Sequence, residues 1–217
     1  MMVHSSTSAT GDEAPILKVQ GLVFAYPARR LFDGWCARFV SGLHLVCGDD
    51  GSGKTTLLRL LAAELPAQAG DLQLASVRLA DNPAAYRQQV FRTDPASSVF
   101  EDKTPLQWFD TLRGAYPAFD MAKAEALLER LFLQPHLHKT GHMLSTGSRR
   151  KVWLVAALAS GATLLLLDQP FAALDTPSIR AVTALLQQAG RSAGRVIVLA
   201  DYEAPAGLHL TQTLDLD

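Results

Sequence analysis

The sequence is poor in cysteine, with only Cys36 and Cys47 among its 217 residues. Two isolated cysteines supply neither a disulfide framework nor the paired spacing of a structural zinc site. Cys47 lies inside an apolar run, where a small buried thiol is ordinary. The cysteine content therefore suits a reducing compartment such as the cytosol.

Charge is also scarce, since charged residues make up 19% of the chain and the formal net charge is −1. This balance predicts no general basic surface, and we expect no nucleic-acid partner. No apolar run approaches the roughly 20 residues needed to cross a bilayer. If the protein works at a membrane, another chain must supply the spanning part. The start, MMVHSSTSATGDEAP, lacks the apolar stretch of a secretory signal and predicts a flexible tail over residues 1–14.

The chain does contain apolar runs that alternate with helical patterns. The runs at 164–167 and 196–199 are continuous, which is typical of strands buried on both faces of a parallel sheet. Strands that alternate with helices indicate an α/β layer fold. The predicted strands cover residues 16–26, 43–48, 72–79, 164–168 and 196–200, and the predicted helices cover 54–64, 121–132, 149–159 and 177–189.

The segment GDDGSGKTT, residues 48–56, fits the pattern G-x-x-x-x-G-K-[ST] between a strand and a helix. Its glycines let backbone N–H groups point at phosphate oxygens, and the helix N-terminus adds partial positive charge. Lys54 is predicted to contact the outer phosphates, and the Thr55 hydroxyl to join a Mg²⁺ shell. Asp49 and Asp50 would repel a polyphosphate, so we expect them to face away or to be paired. The alternative is a glycine-rich turn before a helix. The predicted phosphate-binding residues are Gly48, Asp50, Gly51, Ser52, Gly53, Lys54, Thr55 and Thr56.

The segment LLLLDQPFAALD, residues 164–175, carries a carboxylate at the end of a buried strand. Asp168 at that edge of a parallel sheet is placed to hold Mg²⁺, with a capping aspartate as the alternative. A phosphate loop alone does not choose among kinases, GTPases and transport ATPases. No guanine-reading N-K-x-D segment is visible, which disfavours a GTPase.

Three further segments resemble the motifs of one family, the ABC ATPases. LSTGSRRK, residues 144–151, resembles their LSGGQ signature, and AALD, residues 172–175, resembles their D-loop. Tyr26 in FAYP matches the aromatic residue that stacks on adenine. The resemblance extends from about residue 16 to about residue 214. It accounts for two segments that a small-molecule kinase would leave unexplained.

The resemblance implies an α/β fold: a P-loop NTPase core with a mainly parallel sheet, an N-terminal antiparallel β part and an inserted helical subdomain. It places one ATPase domain at 15–217, with its α/β core at 15–103 and 143–217 and the helical subdomain at 104–142. Ser145 and Gly147 would then bind the γ-phosphate held by the opposite subunit of a head-to-tail dimer. The alternative for this segment is a simple helix N-cap.

The same resemblance implies ATP and Mg²⁺ as cofactors. It also implies two kinds of partner: a second ABC ATPase subunit and separate transmembrane permease subunits. Such a subunit is expected in the cytoplasm, peripheral on the inner face of the cell membrane. The transported substrate, the direction of transport and the choice between homodimer and heterodimer stay open.

Three positions depart from the family pattern, and all three belong to hydrolysis rather than binding. Gln169 stands where a glutamate polarises the attacking water, and Asp201 stands where a histidine contacts the γ-phosphate. Thr93 or Asp94 stands where a glutamine approaches the metal. The catalytic residues implied are therefore Gln169, Asp201 and Lys54. We expect ATP binding to be intact and hydrolysis to be slow; the alternative is a regulatory module or the silent half of an asymmetric pair.

Overall fold

The computed structural model describes residues 14–217, so the predicted tail lies outside the described residues apart from its last position. The first half contains strands Leu17–Tyr26 (β1), Arg29–Phe39 (β2) and Gly42–Cys47 (β3), helix Lys54–Leu61 (α1), strands Ala69–Leu74 (β4) and Val77–Arg78 (β5), helix Pro83–Gln88 (α2) and strand Val90–Arg92 (β6). The second half contains helices Pro105–Ala115 (α3), Met121–Arg130 (α4) and Thr146–Ala159 (α5), strand Leu164–Asp168 (β7), helix Thr176–Gly190 (α6) and strands Val196–Ala200 (β8) and Gln212–Asp215 (β9).

The central element is a five-stranded sheet of order β6-β7-β8-β3-β9, in which every neighbouring pair is parallel. β7 and β8 lie inside this sheet, and their apolar residues are fully buried. The side chains of a strand point alternately to its two faces. Leu165 and Leu167 accordingly join one core, while Leu164 and Leu166 join the other. The predicted α/β class with a mainly parallel sheet is confirmed.

A second sheet of order β2-β1-β4-β5 is antiparallel throughout. Its buried residues, including Leu17 and Phe39, share a core with helix α1 and one face of the parallel sheet. The N-terminal antiparallel part implied by the family resemblance is therefore present.

Helices α3 and α4 lie between β6 and β7 in the chain and pack on the other face of the parallel sheet. Thr104 begins α3 with a capping box, accepting from Gln107 N while the Gln107 side chain accepts from Thr104 N. Trp108 then stacks on Phe100 and contacts Trp153 of α5 edge-on. This aromatic cluster anchors the helical segment on the core, whereas its predicted limits at 104 and 142 stay a prediction.

The structure differs from the sequence prediction in several short elements. The predicted strand 72–79 is two strands, because Ala75 turns the chain with a left-handed φ of 52°. Strands β2, β6 and β9 and helix α2 were not predicted. No helix within residues 14–217 has the length and apolar character needed to cross a membrane.

The carboxyl ends of β3, β7 and β8 meet at one edge of the parallel sheet, because the three strands run in the same direction. β3 leads into residues 48–53, β7 ends at Asp168, and β8 leads into Asp201. Ligands bind at this edge in open α/β sheets. The fold therefore collects three of the predicted site segments in one place.

Candidate nucleotide-binding site

The loop between β3 and α1 has the backbone form that its glycines permit. Gly48, Gly51 and Gly53 have φ values of 143°, 81° and 108°, a region that other residues rarely adopt. A Cβ on Gly48 would lie 2.6 Å from the Ser52 Oγ, so only glycine fits there. The Ser52 Oγ is itself buried and has no hydrogen-bond partner among the described residues. A buried hydroxyl without a partner, inside a glycine-rich loop, is able to donate a hydrogen bond to a phosphate oxygen.

Lys54 is buried at the start of α1, and its ammonium group is fixed by three contacts. Its Nζ donates to the carbonyl oxygens of Gly48 at 2.6 Å and Asp49 at 2.8 Å. The same atom lies 4.7 Å from the centre of the Tyr202 ring. The predicted phosphate lysine therefore points along the loop rather than into solvent.

The two aspartates of the loop make different contacts, and only the carboxylate of Asp50 is paired in the way that the sequence analysis expected. Asp50 accepts a hydrogen bond from the Tyr202 hydroxyl. The backbone N–H of Asp49 donates to both carboxylate oxygens of Asp217, at 2.8 and 3.0 Å. Asp50 is thus paired through a residue from the loop after β8.

Thr55 and Asp168, the predicted metal ligands, are brought together from α1 and β7. Burial raises the pKa of Asp168 above its ordinary value. A hydrogen bond from Thr55 and the positive charges of Arg92 and Lys54 oppose this rise. A hydroxyl and a carboxylate are hard oxygen donors of the kind that Mg²⁺ prefers, with phosphate oxygens and water completing its shell. Residues 14–217 contain no group of three or more His, Cys, Asp or Glu side chains arranged to hold a metal ion. The pair therefore fits a magnesium ion that arrives with a nucleotide.

Gln169 lies beside this pair, on the wall of a cavity of about 570 Å³. Its φ of 44° is left-handed, an uncommon and costly conformation for glutamine. Its backbone N–H donates to Ala200 O at 2.8 Å, which ties the end of β7 to the end of β8. The side chain predicted to face the attacking water is therefore held at the cavity by a strained backbone. The cavity is lined by Thr55, Arg59, Glu64, Arg92, Thr93, Asp94, Pro95, Ala96, Arg150, Asp168 and Gln169.

Thr93 and Asp94 are both near Asp168, but they make different contacts. Thr93 is buried, and its Oγ1 accepts a hydrogen bond from Asp168 N at 3.2 Å. The Asp94 carboxylate pairs with Arg92 at 2.9 Å, and Arg92 also pairs with Glu64 at 2.8 Å. Thr93 therefore positions the backbone of Asp168, while Asp94 shares the one positive charge of Arg92 with Glu64. Both line the cavity, so the choice between them stays open.

Asp201 turns back on its own loop instead of reaching the phosphate loop. Its carboxylate accepts from the N–H of Tyr202 at 2.9 Å. Burial is the main cause that raises its pKa, and Asp168 adds to the rise, while Lys54 and Arg150 oppose it. The residue from this loop that touches Lys54 and Asp50 is Tyr202, the next residue along the chain, to which the sequence analysis assigned no role.

Arg150 is a second residue that the sequence analysis did not assign to the site. It lines the cavity, donates from Nη1 to Ala172 O at 2.5 Å, and is buried at Nε without a partner among the described residues. Burial lowers its pKa, while Asp168 and Asp201 raise it. A guanidinium stays charged in proteins, so Arg150 adds positive charge next to the two carboxylates. Its place just after the LSTGS segment was the available signal.

The remaining predicted residues lie around this centre. Tyr26 ends β1 with 42% of its surface exposed, and its hydroxyl is 3.3 Å from the Thr56 Oγ1. Ser145 caps α5 by accepting from Ser148 N at 3.2 Å. Gly147 packs so closely on the loop before α6 that an added Cβ would lie 2.5 Å from Ala173 O. Neither Ser145 nor Gly147 lines the cavity beside Asp168.

A parallel sheet that delivers a glycine-rich phosphate loop, a buried lysine and a strand-end aspartate to one edge defines a P-loop nucleotide-binding domain. The chain belongs to the ABC transporter family, whose model matches residues 41–172. It is an ATP-binding subunit of that family and an ABC-type ATPase, as the sequence resemblance implied.

Relatives and solved structures agree with this assignment. The manganese transport system ATP-binding protein MntB of Listeria monocytogenes is 31% identical over 86% of this chain and 80% of its own length. The taurine import ATP-binding protein TauB of Escherichia coli K12 is 30% identical over 80% of this chain and 68% of its own length. A solved ATP-binding subunit of an ABC transporter has the same fold, with a TM-score of 0.81 at 22% identity over 92% of this chain and 85% of that one.

Proposed function

We propose that this chain binds ATP with Mg²⁺ and couples slow hydrolysis to separate membrane-spanning subunits. The observation that carries the proposal is the grouping of Lys54, Thr55 and Asp168 beside Gln169 at one sheet edge. The first three suffice to bind a magnesium nucleotide. The fourth replaces the carboxylate that would take a proton from water.

Binding is assigned to the phosphate loop and the residues around it. The backbone N–H groups and Lys54 would hold the phosphates, and Thr55 and Asp168 would hold Mg²⁺, which neutralises phosphate charge when bound. The buried Ser52 hydroxyl and the glycine φ values support this assignment. Tyr26 is exposed at the mouth of the site, where its ring can stack on adenine.

Hydrolysis is expected to be slow but present. The Gln169 amide can orient a water molecule by hydrogen bonds, but it cannot accept the proton of that water. Loss of a general base typically costs about 10²–10⁴-fold in rate. Phosphoryl transfer depends mainly on positioning and electrostatics, which Lys54 and Arg150 still supply.

A second subunit would complete the site. Ser145 and the N-terminus of α5 do not line the cavity of their own chain, although this helix end could bind an anion. A head-to-tail dimer would bring them to the partner's γ-phosphate. The transport names of the relatives support membrane-spanning partners, and with them a position on the inner face of the membrane.

The alternative is a module that binds ATP without turnover, or the silent half of an asymmetric pair. Gln169, together with the turned-back carboxylate of Asp201, favours this alternative. Both candidates predict ATP binding, so only the chemical step separates them.

Steady-state ATP turnover with Mg²⁺ separates the two candidates. We expect wild-type turnover to exceed that of Lys54→Ala, because the lysine is required for phosphate binding. Gln169→Glu should raise turnover by about 10²-fold or more by restoring a proton acceptor. ATP binding should be similar in wild type and Gln169→Glu, as measured by equilibrium dialysis.

Turnover equal to that of Lys54→Ala, with ATP still bound, would establish the binding module instead. Absence of ATP binding in the wild type would overturn both candidates.

A further inference from the structure

The loop after β8 contacts the phosphate loop through one side chain, Tyr202, which touches a cation and an anion at once. We infer that Tyr202 is a positioning residue that sets the preference of the site for ATP over ADP. The ring holds the Lys54 ammonium group in place along the phosphate loop. The hydroxyl holds the Asp50 carboxylate away from the outer phosphates. This inference rests on the proposed binding of ATP at the phosphate loop.

The aromatic ring of Tyr202 contacts the ammonium group of Lys54. The ammonium group lies 4.7 Å from the ring centre, within the range of a cation–π interaction. Two carbonyl contacts, to Gly48 and Asp49, fix it from the other side. A lysine held in this way keeps its charge directed along the loop. Because its side chain is already ordered, it loses little conformational entropy when a phosphate binds. Removal of the ring takes away one of the three contacts and leaves the ammonium group held from one side only.

The hydroxyl of Tyr202 contacts the carboxylate of Asp50. A carboxylate in a phosphate loop repels a triphosphate more than a diphosphate, because the triphosphate carries more negative charge. The Tyr202 hydroxyl donates to the Asp50 carboxylate and fixes its position. This bond raises the pKa of the Tyr202 hydroxyl above its ordinary value, so the hydroxyl remains a donor well above neutral pH. Removal of the hydroxyl alone frees the carboxylate.

Hydrogen bonds of the backbone connect the loop that carries Tyr202 to the end of β7. The N–H of Tyr202 donates to Asp201, which accounts for the turned-back carboxylate. Ala200, just before this loop, accepts from the backbone N–H of Gln169 at 2.8 Å. The loop that carries the ring is therefore joined through its backbone to the strand end that carries Asp168 and Gln169. Nothing in the sequence alone indicates this link, because Tyr202 and Asp50 are 152 positions apart.

The test is a set of equilibrium dissociation constants for ATP and ADP with Mg²⁺ at fixed ionic strength. Tyr202→Phe keeps the ring and removes the hydroxyl; we expect ATP binding to weaken roughly 3- to 30-fold and ADP binding to weaken less. The double variant Tyr202→Phe/Asp50→Asn should return to within about 2-fold of Asp50→Asn, because no carboxylate remains to be held. Tyr202→Leu removes the ring as well and should weaken ATP binding by a further factor of about 2 to 30.

Tyr26→Leu is the matched control. It removes an aromatic residue assigned to the adenine, which ATP and ADP share, so both constants should rise equally and their ratio should stay fixed. Each variant is also compared by thermal unfolding without nucleotide, to show that it is folded.

The inference is overturned if Tyr202→Phe and Tyr202→Leu leave the ratio of the ADP and ATP constants within 2-fold of wild type. It is also overturned if Asp50→Asn fails to rescue Tyr202→Phe. A wild-type protein that binds neither nucleotide would instead refute the proposed function, and the inference with it.

Discussion

Arg149 holds Glu101 with both terminal nitrogens of its guanidinium, at 2.6 and 2.9 Å. The same side chain donates to Gly141 O at 3.0 Å. One arginine at the start of α5 thus joins the segment before α3 to the segment after α4. The paired, planar geometry suits arginine and would not be reproduced by lysine.

This ion pair predicts a pH dependence of stability. The hydrogen bonds from Arg149, and the nearby His142, lower the pKa of Glu101 below its ordinary value. A lowered pKa in the folded state means that the contribution is present above the unfolded pKa, about 4.3, and is lost as pH falls through the lower folded value. Glu101→Gln should therefore be less stable than wild type at pH 7, and the difference should shrink as the pH falls through the lowered folded-state pKa of Glu101.

The measurement is the free energy of unfolding in urea at several pH values. Glu125→Gln is the matched control, because Glu125 is exposed and forms no ion pair among residues 14–217. A stability difference for Glu101→Gln that is independent of pH would contradict the assignment to this ion pair.

The site residues that could be predicted are those whose chemistry is written in consecutive positions. Lys54 and Thr55 follow from a local motif, and Asp168 follows from the leucine run before it. Tyr202 could not be assigned in this way, because its contacts with the phosphate loop exist only after the sheet has formed. A motif shows which residues can bind, and the fold shows which residues position them.

At the scale of elements, a close backbone approach joins α5 to the loop before α6. Gly147 lies in the first turn of α5, and a methyl group there would meet the carbonyl oxygen of Ala173 at 2.5 Å. Ala173 has a left-handed φ of 58°, and Gln169 in the same loop has one of 44°. The helix end and the loop therefore form one closely packed corner with little room for a larger side chain.

Gly147→Ala should destabilise this corner by about 1–3 kcal/mol, since backbone must shift to admit the methyl group. Gly114→Ala is the opposite case, because Gly114 lies in α3 with no atom within 4 Å of an added Cβ. That change should stabilise the protein by about 0.5–1 kcal/mol through helix propensity. Urea unfolding of both variants measures the two effects, and a neutral Gly147→Ala would refute the packing argument.

The elements that could be predicted from sequence share strong, regular patterns. β7 and β8 are continuous apolar runs, and their predicted limits of 164–168 and 196–200 match the structure. β2 could not be predicted, because register shifts along its pairing with β1 break the alternation. β9 reads as polar and becomes a strand only by pairing with β3 at the sheet edge. Its tertiary context, not its propensity, decides its structure.

At the scale of the whole molecule, the proposed slow hydrolysis would have a consequence for assembly. If two chains close around ATP, the closed dimer persists until ATP is hydrolysed. We expect the wild-type protein to shift from monomer to dimer on a sizing column with Mg²⁺ and ATP, whereas Lys54→Ala stays monomeric. Gln169→Glu should form a shorter-lived dimer, because this variant would hydrolyse the bound ATP sooner. A dimer whose lifetime does not change when turnover rises would contradict this coupling.

The four leucines of β7 leave the strand without a hydrophobic reason to choose its alignment. In most strands a shift by one residue exchanges the buried and exposed sides and is penalised. In β7 such a shift would replace leucine by leucine on both faces, so either core would be filled equally well. The alignment is instead fixed at the polar end, where Asp168 N donates to Thr93 and Thr93 N donates to Leu166 O at 2.9 Å. The boundary between leucine and aspartate, which places a carboxylate at the proposed nucleotide site, is thus also the reference point from which the central strand is aligned.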